Sequence, residues 1–141
     1  MKRIIYSVAS LFLVMVFILG MVSCNTVDKT GVWENATYRK DMEFGKGDKT
    51  IVVEVVAGDQ SVRFTVHTDE DTVGAALMEH DLIDGEEGQY GLYIKVVNGI
   101  VADFDKDQHY WAFYVNDEYA MTGVESTEID EDATYRLEYS K

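Results

Sequence analysis

The 141-residue chain has no proline, and its one cysteine is Cys24. Without proline, no strand loses a backbone donor, so apolar alternation can be read as sheet without interruption. A lone cysteine excludes a disulfide within the mature chain, whose stability must come from packing. Basic residues are scarce: 12 Lys plus Arg face 26 Asp plus Glu, a net charge of −14. Two of those bases, Lys2 and Arg3, precede an apolar leader that holds no acids, so the remainder carries ten bases, 26 acids and a charge of −16. Such a surface repels nucleic acid, and no nucleic-acid partner is expected.

Common catalytic patterns are missing too. No serine sits in a G-x-S-x-G elbow, and no two of the three histidines have zinc spacing. The glycines of "GEEGQYG" have the wrong spacing for a dinucleotide loop, with two acids where phosphates would lie, so this stretch reads as a flexible connector. The chain is expected not to be an enzyme and to hold no resident cofactor or metal.

What is present begins with a leader. Lys2 and Arg3 open an uncharged, mostly apolar run that reaches Val27. This is a secretory signal or, if uncleaved, a membrane anchor. The run passes through "MVSC", where Ser23 and Cys24 fit the end of a bacterial lipoprotein signal better than Met21 and Val22 do. Residues 1–23 are therefore read as a signal peptide and Cys24 as the lipidated residue that holds the protein to the cell membrane. The alternative is an uncleaved helix with an incidental thiol. Both place the rest outside the cytoplasm. Residues 24–48 are polar and weakly periodic and read as a tether and lead-in, with Trp33, Tyr38 and Phe44 suggesting that the later part lies against the domain.

Residues 49–141 form the domain. Ile51, Val53 and Val55, then Val62, Phe64 and Val66, alternate with polar or second-face residues about Gly58-Asp59-Gln60, which is a β-hairpin. The period then changes: Val73, Ala76, Leu77 and His80 mark a helix over 72–80, with Gly74 expected to face the sheet. Leu92, Ile94 and Val96 make another strand, ending at the type I′ signal Asn98-Gly99. "HYWAFYV" turns at Asn116-Asp117, and Tyr135, Leu137 and Tyr139 close the chain. One helix across one face of a four- or five-stranded sheet is an α+β arrangement, β-grasp-like in its order.

The three histidines read as a solvated His67, a packing His80 and a His109 at the head of the aromatic strand. Asp103, Asp105 and Asp107 alternate like the start of a calcium loop, but Gln108 and Tyr114 stand where glycine and glutamate belong. A solvated loop is the plainer reading.

The aromatics are the strongest functional signal. Tyr110, Ala112 and Tyr114 point one way, and Trp111, Phe113 and Val115 the other. One set fills the core and the other faces either a ligand or a cover, for which Trp33 and Phe44 are candidates. The strand is expected to be central, with Tyr110 or Trp111 on a partly open face. Tyr and Trp suit a flat ligand or a protein partner.

"TVGAALMEHDLI", "YGLYIKVVNGI", "YWAFYVNDEYAMTGV" and "YRLEY" resemble a bacterial family of secreted or lipid-anchored domains of unknown function. That family is similar in turn to the C-terminal domain of the cobalamin carriers transcobalamin and intrinsic factor. The resemblance implies a domain that closes over a corrin ring, with Tyr90, Gly91, Tyr93, Tyr110 and Trp111 as ligand-binding residues. Ala112 departs from the polar residue of the carriers, and the carriers' helical domain has no counterpart here. Two functions follow: a surface-tethered module binding cobalamin or a similar flat ligand and passing it to a transporter, or an adhesion or assembly module for protein or glycan partners.

Overall fold

The strongest alternation, over residues 49–68, builds the central hairpin. β2 (Lys49–Ala57) and β3 (Gln60–Thr68) pair antiparallel about a two-residue turn, Ala57 facing Gln60. Ile51, Val53, Val55, Val62, Phe64 and Val66 are all buried on one face. These coordinates are a computed structural model that describes residues 25–141. The expected signal peptide and Cys24 lie outside the described residues.

Among the described residues nine strands form two sheets, so the domain is a mixed, mostly β fold with little helix. The larger sheet has six strands in the order β1-β3-β2-β9-β7-β8, where β1 is Met42–Gly45, β7 Tyr110–Val115, β8 Glu118–Tyr119 and β9 Tyr135–Ser140. The second has three, β4 (Ile83–Gly88), β5 (Gly91–Val97) and β6 (Ile100–Val101). The expectation of one four- or five-stranded sheet is thus corrected in both number and layout. One added strand comes from the lead-in: β1 (Met42–Gly45) runs parallel to β3 at the sheet edge. The second sheet arises because "GEEGQYG" is no flexible connector. It supplies β4 and the tip of a hairpin whose Gly88 and Gly91 face each other. Gly85 lies opposite Ile94 at a bulge, where a side chain would meet the Tyr93 carbonyl oxygen.

The residues before β1 also pack. Trp33 is buried in the 3-10 turn Gly31–Asn35, and its indole N–H donates to the Ala57 carbonyl at 2.9 Å. Tyr38, Phe44 and Phe64 meet edge to face, with centroids 5.2 to 6.0 Å apart. This cluster sits at the β1–β3 end of the large sheet. Trp33 and Phe44 therefore do not cover the aromatic strand β7 (Tyr110–Val115), which lies beyond β2 and β9 (Tyr135–Ser140).

The helix, α1, covers Val73–Met78, shorter than the expected 72–80. Thr72 caps it, its hydroxyl accepting from the Ala75 N–H. Asp81 ends it with a positive φ of 54°, and the Leu82 N–H reaches back to the Leu77 carbonyl at 3.0 Å, a Schellman closure. Val73, Ala76 and Leu77 are buried as expected, and His80 packs beside Phe44. Gly74 does not face the sheet. A Cβ there would lie 2.9 Å from the Glu125 backbone nitrogen, so the glycine admits the 3-10 turn Val124–Ser126. Gly→Ala normally stabilises a helix interior by up to about 1 kcal/mol. Here Gly74→Ala is expected to do the opposite and lower the midpoint of chemical unfolding, because the methyl meets backbone that cannot turn aside.

Candidate functional site

β7 is positioned by β9, with Trp111 facing Tyr139 and Phe113 facing Leu137. Trp111 and Phe113 point into the core, each 7% exposed, while Tyr110 and Tyr114 are half-buried on the outer face. The Trp111 indole N–H donates to the Ile100 carbonyl at 3.2 Å, and Phe113 stacks on Tyr135. The strand is not central along its length, which corrects the expectation. Its neighbour β8 (Glu118–Tyr119) has two residues and pairs only with Val115 and Tyr114. The first half of β7 is therefore a sheet edge.

Beside that edge lies a cleft of about 620 Å³. One wall is the β4–β5 hairpin, residues 88–94. The floor is Tyr110, Trp111 and Phe113, and the second wall is the loop 119–124. All five residues named from the sequence, Tyr90, Gly91, Tyr93, Tyr110 and Trp111, line this one cleft. The second wall was not among them. Its sequence signal is the uncharged run "YAMTGV", unusual in so acidic a chain. At the lips, Tyr90 is 90% exposed and Met121 95% exposed, with Tyr93 and Tyr119 also exposed. Among the described residues, no Asp, Glu, Lys, Arg or His lines the cleft.

Charged residues on the neighbouring elements have partners of their own. Glu125 Oε2 accepts from the Leu92 backbone N–H at 3.0 Å. The Lys95 ammonium lies 3.1 Å from Glu86, whose hydrogen bond raises the lysine pKa above its ordinary value. Arg136 lies over the Tyr114 ring on the outer face and bonds Asp117 at 2.6 Å. Past the head of β7, His109 stacks on Tyr139 at 4.5 Å. Partial burial, then the Asp107 charge, pushes the Tyr139 phenol up, and the His109 backbone N–H leads the causes that hold the Asp107 carboxyl down.

The other candidates take structural roles. Asp103, Asp105 and Asp107 fall at the start of and within a helical turn, α2 (Phe104–Asp107). The Asp103 carboxylate accepts from the Asp105 N–H and that of Asp107 from the His109 N–H. Among the described residues, no three His, Cys, Asp or Glu side chains gather to hold a metal ion, and no helix is long and apolar enough to cross a membrane. His67 is half-buried rather than solvated. Its ring joins three strands through Thr50 Oγ1 at 2.8 Å and Glu43 Oε1 at 2.5 Å.

The two kinds of aromatic separate in a stability measurement. Trp111→Ala should cost about 3–5 kcal/mol, as truncating a core aromatic does. Tyr90→Ala should stay within about 0.5 kcal/mol of the parent, since almost all of its surface is already in water. Urea unfolding of both variants checks the assignment.

Residues 70–141 match a family model described as a domain of unknown function, DUF4430. A solved structure from Ruminococcus gnavus ATCC 29149, provisionally described as a metal binding protein, is 33% identical with a TM-score of 0.62, the match covering 67% of this chain and 98% of that one. Haptocorrin in complex with Cbi matches at a TM-score of 0.53 and 20% identity, over 70% of this chain. The matched part is 26% of haptocorrin, so the likeness is one of fold. The search of curated proteins found no match. The chain belongs to the DUF4430 family.

Proposed function

We propose that this protein is a non-catalytic binding module, held by lipid at the outer side of the cell membrane, whose cleft takes a flat, largely uncharged ligand of corrinoid type. The observation that carries the reading is convergence. Aromatic residues from the β4–β5 hairpin, β7 and β8 line one cleft without a charged side chain, in a chain of net charge −14. Flat apolar area with polar tips at the rim suits a planar ring system. The haptocorrin likeness, found with Cbi bound, agrees in fold and suggests cobinamide as the first ligand to try. A β-grasp-like description agrees with the strand order β3-β2-β9-β7-β8 and its parallel central pair.

Cobinamide titrated into the full chain in detergent should bind saturably. Tyr90→Ala and Tyr93→Ala should each weaken binding by about 1–3 kcal/mol, the scale of one stacked aromatic. Folded protein that takes up no cobinamide at millimolar concentration would remove the corrinoid reading. The exposed lips, Tyr90 and Met121, would then favour a protein partner.

The membrane anchor has its own test. Labelled fatty acid should enter the parent and not Cys24→Ser, which should appear in the medium wherever the leader is still cleaved. Equal labelling of both proteins would refute lipidation at Cys24.

A further inference from the structure

β7 is hydrogen-bonded on both sides only near its C-terminal end. The turn Asn116-Asp117, both residues at positive φ, closes on Val115 and Glu118. That closure fixes which way each backbone group points, because the directions alternate along a strand. Tyr110, Ala112 and Tyr114 bond toward β9, and Trp111, Phe113 and Val115 turn the other way. β8 answers Val115, and the Ala120 N–H reaches the Phe113 carbonyl at 2.9 Å. Beyond that point, among the described residues, no backbone group meets the Phe113 N–H or the Trp111 N–H and carbonyl. Both residues line the cleft. Across it, the Leu92 N–H also turns away from β4 and is taken by the Glu125 carboxylate.

The cleft therefore offers main-chain donors and an acceptor, no cationic side chain, and one carboxylate beside it. We infer that it selects its ligand through neutral carboxamide groups that pair with the main chain of Trp111 and Phe113, and that it rejects the same ligand carrying carboxylates. This rests on the flat-ligand reading above and adds a rule of selection to it. A carboxamide presents both donors and an acceptor, as a sheet edge requires. A carboxylate only accepts. It would meet no lysine or arginine, since Lys95 is held by Glu86, and it would face Glu125 in a strongly acidic protein. Cobinamide carries carboxamides around its ring, whereas cobyrinic acid carries carboxylates on the same ring.

The test has two arms on the full chain in detergent. In the first, cobinamide should bind at least about 100-fold more tightly than cobyrinic acid, nearly 3 kcal/mol. Glu125→Gln, which keeps an oxygen for the Leu92 N–H and loses the charge, should narrow that gap at least about tenfold. Equal affinities, or a gap unchanged in Glu125→Gln, would overturn the inference and leave the corrinoid reading standing. In the second arm, N-acetylglycinamide, but not acetate, should shift the backbone amide resonances of Trp111 and Phe113 in the labelled protein. That result without cobinamide binding would support the carboxamide rule and remove the corrinoid. No shift and no cobinamide binding would overturn both.

Discussion

The parallel pairing of β2 with β9 is the constraint on which the other elements depend. Val53 to Ala57 lie beside Tyr135 to Tyr139 in register, and Val53, Val55, Tyr135 and Leu137 are buried together. Parallel neighbours cannot be joined by a hairpin, so the chain leaves the sheet after β3, rejoins it as β7 and β8, and comes back beside β2 only as β9. Everything between, including α1, the second sheet and β7, lies within that crossover. β9 also pairs with β7, so its register on β2 fixes the height of Trp111 and Phe113 beside β5. A slip of one residue in β9 would turn Tyr135 and Leu137 to the outer face and dismantle core and cleft together.

The cleft follows from a second chain of contacts that starts at Gly74. Because α1 presents no side chain there, the turn Val124–Ser126 can sit directly on the helix. That seating carries Glu125 to the Leu92 N–H and leaves residues 119–124 as a wall opposite the β4–β5 hairpin. β8 ends after two residues, so the first half of β7 stays open. A longer β8 would cover the edge with backbone pairs, as a sheet interior requires. The cleft is thus what remains when one glycine draws a loop aside from a strand it could have continued to pair.

Much of this was legible in the sequence for a physical reason. Alternation at Val62, Phe64 and Val66 has a period that only a strand supplies, and Asn98-Gly99 and Asn116-Asp117 name their own turns. The family resemblance carried Tyr90, Gly91, Tyr93, Tyr110 and Trp111, and the fold brings these to one cleft. The failures share a cause, which is that long-range pairing leaves little local signal. β1 has four residues and gains its place only from β3. β4 reads Ile-Asp-Gly-Glu-Glu-Gly and is a strand because β5 lies beside it. Helical periodicity directs Gly74 toward the sheet because it shows that a face is buried and not what buries it. The helix end carries no glycine signal because Asp81 takes the left-handed position.

The two faces of the aromatic strand settle how one segment serves both stability and recognition. Trp111 and Phe113 are core residues, tied by the Ile100 carbonyl and the Tyr135 ring, yet both also line the cleft floor. A floor built from the core is rigid before any ligand arrives, so binding need not bear the cost of ordering it. The exposed lips, Tyr90 and Met121, provide apolar contact without bearing on the fold. Such lips invite association with other copies. The excess of acids over bases opposes it through mutual repulsion, and it does so without placing a charged side chain in the cleft itself. Acidity outside and neutrality inside are therefore two parts of one arrangement: the surface keeps the molecules apart, and the cleft's apolar surface stays free for the neutral ligand proposed above.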